Sequence, residues 1–255
     1  MDAVERSVTG DTGVRAVTRV IDLLELFDTA HPARSIKELV EGTGLPKTTV
    51  LRLCATLCAR NVLTARTDGT FGLGPGMLRW VRLAGRMWTP SDEVAEVMRE
   101  LSRDTGETVN LYVREGLSRI VVAQCESSAT VRSVIPVGVP YPLWAGAAGK
   151  VLLQAAPELL PAVAAESPRG PEYEKELGAA VDAARERGYA LVHGEREMGA
   201  SGLAFPVTDA HARVVAALTV GGPTGRFTED RVARYVEATR SAAAKIAALG
   251  LPGID

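Results

Sequence analysis

Aromatic residues make up only 5% of this 255-residue sequence, and cysteine occurs three times. Cys54, Cys58 and Cys125 form an odd, sparse set, which excludes a disulfide scaffold and suits a reducing compartment. No stretch approaches the ~20 consecutive apolar residues of a membrane helix, so no membrane partner is expected. Residues 1–13 lack the basic-then-apolar order of a signal peptide. They are expected to be a disordered tail, and the protein to be soluble and cytoplasmic. An excess of one charge is lacking too. Lys+Arg number 29 against 31 Asp+Glu, a net charge of -2 that excludes a polycationic coat but not a local basic patch. What is present is enough apolar sequence, 46% of the chain, for one large or two ordinary domains with cores of their own.

The charge is unevenly placed. Residues 13–88 hold eleven Lys/Arg against six acids, whereas residues 89–255 hold 17 against 22. A basic front and an acidic rear suggest two modules with different partners.

In the front, Val17, Val20, Ile21, Leu24 and Phe27 recur at helical spacing, predicting a helix over about 14–28 with one buried stripe. Ser35 followed by Glu38 reads as a capping box opening a short helix from Ile36 to about Glu41. Gly42-Thr43-Gly44 then breaks it, and Pro46 suits the first position of a third helix. That third helix puts Val50, Leu53, Cys54 and Leu57 on its buried side. Lys47, Thr48, Thr49, Arg52 and Thr56 remain for the other. Two helices joined by a glycine-containing turn, the second starting basic and polar, form a helix-turn-helix. Its short hydroxyls allow close approach to a DNA backbone, and Arg52 can fork onto a guanine edge or a phosphate. Asp68-Gly69 between residues 62–65 and 70–73 is a hairpin signal, so the unit reads as a winged helix-turn-helix with Arg66 on the wing. A three-helix protein-interaction module, merely solvated by its basic residues, is the other reading of the same pattern.

Residues 75–89 read as a linker helix carrying Met77, Leu78, Val81 and Leu83 beside Arg79, Arg82 and Arg86. Whether it switches or only packs is open. Beyond Pro90, apolar runs at 109–113, 120–123, 131–135, 189–192, 203–207 and 214–220 predict strands. They are interrupted by helices near 146–155 and 172–187 and closed by one from about Glu229 to Leu249. This is an α+β module on one mostly antiparallel sheet.

The segment "SIKELVEGTGLPKTTVLRLCATLCARNVL" followed by "FGLGPGML" resembles the DNA-binding half of the IclR family of bacterial transcriptional regulators. "TGETVNLYV", "VGVPYPLWAGAAGKVLL", "ERGYALVHGEREMGASGLAFPV" and "RVVAALTVGGPTGRFTEDR" resemble its rear half in the same order. The resemblance implies a winged helix-turn-helix domain over 14–74, a linker helix over 75–89, and a GAF-like effector-binding and oligomerisation domain over 90–250. It implies a double-stranded DNA operator, a small-molecule effector and a homodimer or dimer of dimers, with no cofactor. Ser35, Lys47, Thr48, Thr49, Arg52 and Arg66 are the expected DNA contacts.

By the same resemblance, the start of the helix at Ala147 and Ala148 lies beside the effector cavity. Its backbone N–H groups would meet a carboxylate, making an organic acid the expected effector; tight packing is the competing reading. The loop bearing His193, Glu195, Ser201 and Gly202 would close over the ligand, while Val131, Val134, Ile135 and Trp144 supply an apolar wall. Trp144 reads equally as a core anchor. Two decoys fall away. Gly146-Ala147-Ala148-Gly149-Lys150 is two residues short of a phosphate loop, and Leu203 stands where a nucleophile elbow needs its last glycine. Cys54 and Cys58 do not complete a zinc site. A small-molecule enzyme fused to a DNA reader is the alternative function, but no catalytic constellation supports it.

Overall fold

The computed structural model describes residues 14–251; the expectation for residues 1–13 lies outside them. The described chain divides into two compact units, meeting between Arg86 and Met87.

The first unit packs three helices, α1 (Arg15–Leu24), α2 (Ile36–Thr43) and α3 (Lys47–Ala59), around Leu23, Leu39, Val50, Cys54, Leu57 and Leu63. Ser35 caps α2 from both directions. Its Oγ accepts the Glu38 N–H at 3.3 Å, while Glu38 Oε2 accepts the Ser35 N–H at 2.8 Å. These bonds satisfy donors that a helix start otherwise leaves bare. The break falls at Gly44, whose φ of +65° is the left-handed turn glycine makes without a Cβ clash; Gly42 is still helical. Pro46 precedes α3 as its N-cap rather than filling its first position. Strands β1 (Ala33–Arg34), β2 (Leu63–Ala65) and β3 (Phe71–Leu73) form an antiparallel sheet in the order β1-β3-β2. The β2–β3 hairpin is the wing, turning through Gly69 at φ +81°.

The stripe expected on α1 needs correction. Leu23 is fully buried and Val20, Leu24 and Phe27 pack beside it, but Val17 and Ile21 are 58% and 49% exposed. Helix α4 (Met77–Trp88) buries no residue at all.

The second unit is built on a six-stranded antiparallel sheet in the order β6-β5-β4-β9-β8-β7. The strands are β4 (Thr108–Glu115), β5 (Ser118–Cys125), β6 (Pro140–Pro142), β7 (Ala190–His193), β8 (Ala200–Thr208) and β9 (Val214–Pro223). Alternation along each strand divides the side chains between two cores. Leu111, Leu203, Phe205, Leu218 and Val220 join Met98 and Ile246 of helices α5 (Asp92–Thr105) and α9 (Glu229–Leu249). Tyr112, Ala204 and Ala217 lie in the opposite core with residues of α6 (Ala147–Leu152), α7 (Leu160–Ala165) and α8 (Glu174–Arg187). Small side chains at Ala204 and Ala217 let α6 approach the sheet closely. Its own Gly149 has no room for a side chain, because a Cβ there would meet the Leu143 carbonyl oxygen.

Residues 131–135 are not a strand. Two of their carbonyls are taken by side chains instead of a ladder: Arg226 Nη1 donates to Val131 O at 3.0 Å and Gln124 Nε2 to Ile135 O at 2.8 Å. The edge position is filled by the short, proline-bounded β6, which pairs with β5 where a missing N–H is tolerated.

Candidate nucleic-acid interface and effector cleft

The apolar positions of α3 occupy one side, with Val50, Cys54 and Leu57 buried, because they recur every three or four residues. The same period leaves Lys47, Thr48, Arg52 and Thr56 exposed and Thr49 half-buried. No acid pairs with Lys47 or Arg52 among the described ion pairs, so both cations are available to an external anion. Arg66 stands exposed at the wing, 3.6 Å from Asp68. Ser35 is differently employed: its hydroxyl donates to Glu38 Oε2 at 2.7 Å and is committed to the cap. Burial pushes the Cys54 thiol up to about 11, with Cys58 adding to the effect, so Cys54 behaves as a core residue. Among the described residues no cluster of His, Cys, Asp or Glu could hold a metal ion.

In the second unit a cleft of about 70 Å³ lies between the start of α6 and the segment joining β7 to β8. Ala147, Ala148, Ile135, Ser201, Gly202 and Glu195, all expected near an effector, line it. Val131 and Val134 do not; they are 66% and 52% exposed, since no strand pairing turns them inward. Trp144 and His193 are also absent from the lining, Trp144 packing against the core around α6. His193 Nδ1 lies 2.7 Å from Ser201 Oγ, which in turn lies 2.9 Å from Thr224 Oγ1, fixing the hydroxyl at the cleft floor.

The acid in this loop plays a part that the sequence did not disclose. Glu195 Oε2 accepts the Gly146 N–H at 2.9 Å and pairs with the buried Lys150 ammonium at 2.5 Å. An internal carboxylate thus already caps the start of α6. Burial pulls the Lys150 ammonium below its ordinary value, and Glu195 opposes that pull. Among the lining residues that sequence reasoning missed are two arginines. Arg119, 3% exposed, reaches the cleft from β5, and Arg196 lies beside it from the loop. A buried arginine on a strand has no local signature, because long-range pairings place it.

A winged helix-turn-helix with an exposed basic recognition helix, joined to a second unit with its own cleft, defines a DNA-binding transcriptional regulator. Residues 16–66 match the IclR helix-turn-helix domain, and residues 91–248 match the C-terminal domain of bacterial IclR transcriptional regulators. The HTH-type transcriptional regulator KipR of Bacillus subtilis (strain 168) is 30% identical over 243 residues, covering 91% of this chain and 95% of its own. A crystal structure of an IclR-family regulator from Rhodococcus sp. is 70% identical, with 99% and 100% of the chains covered and a TM-score of 0.67. An IclR homologue from Microbacterium hydrocarbonoxydans, solved in complex with 4-hydroxybenzoate, shares the fold at a TM-score of 0.71. It is 23% identical, with 91% and 99% covered. The chain belongs to the IclR family, whose members are transcriptional regulators rather than enzymes. Among the described residues no helix is long and apolar enough to cross a membrane.

Proposed function

We propose that this regulator reads a palindromic operator as a homo-oligomer, and that a small organic acid in the cleft beside α6 modulates the binding. The observation that carries the DNA reading is the α3 surface, where Lys47, Thr48, Thr49 and Arg52 cluster toward one end with no acid paired to them. Phosphate contacts from the lysine and hydroxyls would set the register, with base readout by Arg52 and a backbone or minor-groove contact by Arg66. Support for a second copy comes from apolar surface without a partner in the single chain. Val17 and Ile21 on α1, and Leu78, Trp80, Val81 and Met87 on α4, are all at least 49% exposed. Exposed apolar surface of this extent marks an interaction face. Two readers would then address half-sites ~34 Å apart or a multiple of it. The 4-hydroxybenzoate bound by the Microbacterium homologue supports an organic acid as the ligand class.

Selection of bound sequences from random DNA tests the reading. The wild type should enrich an inverted repeat. Arg52→Ala should lose preference at one position per half-site, at a cost of ~1–3 kcal/mol. The same preferred sequence bound with equal affinity by the variant would remove Arg52 from the interface.

A further inference from the structure

The cleft contains a cation whose charge is not answered inside the protein. Two basic side chains line it, Arg196 and Arg119, and Lys150 stands behind the lining residue Glu195. Lys150 is paired with Glu195, and Arg196 lies 3.7 Å from Glu197. Among the described residues no carboxylate forms an ion pair with Arg119. Its Nη1 donates to the Pro142 carbonyl, its guanidinium stacks 5.4 Å over the Tyr112 ring, and its Nε meets no acceptor. Burial pulls the guanidinium below its ordinary value, and the nearby Arg196 pushes the same way. The other titratable groups facing it, Tyr112 and Tyr141, are phenols rather than carboxylates, and burial pushes the Tyr112 hydroxyl further up. A desolvated charge is costly unless paired and hydrogen-bonded, so a site that keeps one open is arranged for a ligand of opposite charge.

The geometry points to Arg119 as the counter-ion that selects the effector: a monocarboxylate whose acid group sits at the Arg119 guanidinium, beside Gly146 and against the apolar side chains of Ile135 and Val192. This rests on the cleft beside α6 being the effector site, as proposed above. It moves the anionic anchor from the Ala147 and Ala148 amides to β5, because the Glu195 carboxylate already sits at the start of α6 on the Gly146 N–H and would repel a second acid group there. Gly146 is part of the arrangement. A Cβ at that position would stand 3.1 Å from Arg119 Nη2, crowding the fork where the acid approaches. One leftover positive charge with an apolar surround suits a monoanion carrying a carbon body better than a dianionic phosphate. At about 70 Å³ the cleft admits a few heavy atoms, so a larger acid would leave its far end toward the opening.

The test is calorimetric titration of the full chain with acetate, propionate, benzoate and 4-hydroxybenzoate, each against its primary amide and with inorganic phosphate as a further arm. At least one acid should bind, with a preference over its amide of at least about thirtyfold. Arg119→Met should abolish that preference, bringing acid affinity down to that of the amide, and Arg119→Lys should retain most of it. Without ligand, Arg119→Met should melt no lower than the wild type, because it removes an unpaired buried charge. Acid binding unchanged in Arg119→Met would overturn the assignment, as would acids and amides binding equally, no acid binding, or phosphate binding most tightly. Ala148→Glu separates this from the underlying reading. If that variant loses the acid and Arg119→Met keeps it, the cleft stands and the anchor falls. If acid binding survives Ala148→Glu, the cleft itself is wrong.

Discussion

The Lys150 ammonium and the Glu195 carboxylate meet at 2.5 Å beneath the start of α6, with the lysine side chain 5% exposed and the glutamate 30%. One residue lies on the helix and the other on the β7–β8 segment, 45 positions away, so the pair ties the two walls of the cleft together. Breaking a buried pair from one side strands the other charge, which costs more than the pair itself contributes. Lys150→Met should therefore destabilise the second unit by ~3 kcal/mol, the low end for such pairs, because Glu195 retains some solvent. Lys150→Met combined with Glu195→Gln should recover part of the loss. Denaturant titration with a probe in the second unit reads both. An equal or larger loss in the double variant would deny the coupling.

Gly149 gives a steric prediction. Its missing side chain leaves the Leu143 carbonyl oxygen in the space a Cβ would fill, a backbone contact that no rotamer change relieves. Gly149→Ala should cost ~1–3 kcal/mol by overpacking, despite the better helix propensity of alanine. Thermal melting of the two proteins decides it, and an unchanged or raised midpoint would contradict the packing described for α6.

The Ser35–Glu38 cap makes the first unit sensitive to acid. The Ser35 N–H, then its hydroxyl, hold the Glu38 carboxyl below the ordinary glutamate value. A carboxyl whose folded value is depressed contributes stability that is complete above the ordinary value, near 4.5, and lost as pH falls through the lowered one. Ser35→Ala should remove ~1 kcal/mol at neutral pH, a typical cost for losing a serine N-cap. It should also flatten the decline on the acid side of neutrality. Alanine keeps the N–H and loses only the hydroxyl, so melting of the wild type and Ser35→Ala between pH 3 and 7 compares the slopes for that part; parallel curves would show that the hydroxyl contributes nothing to the titration.

Local chemistry made much of this fold legible beforehand. The Ser35–Glu38 spacing, the Asp68-Gly69 turn and the long periodic α9 depend on residues a few positions apart, and all three stand in the structure. Residues 131–135 misled because alternating valines fit a strand, while strand formation depends on a partner edge that the sequence does not reveal. Strands β1 and β6, two and three residues long, carry no periodicity to detect. The cleft was legible at Ala147, Ala148, Ser201 and Gly202 through motif resemblance. Arg119 and the pairing of Glu195 with Lys150 depend on contacts across 23 and 45 residues, and the usual expectation for such side chains is solvent.

Coupling between cleft occupancy and DNA reading within one chain is decided by operator affinity measured with and without ligand. A saturating carboxylate that binds the cleft should shift the dissociation constant for the selected operator by ~5–150-fold. By linkage, operator DNA must shift carboxylate affinity by the same factor, and Ala148→Glu should abolish both effects. Operator affinity that stays the same when the cleft is filled would contradict it.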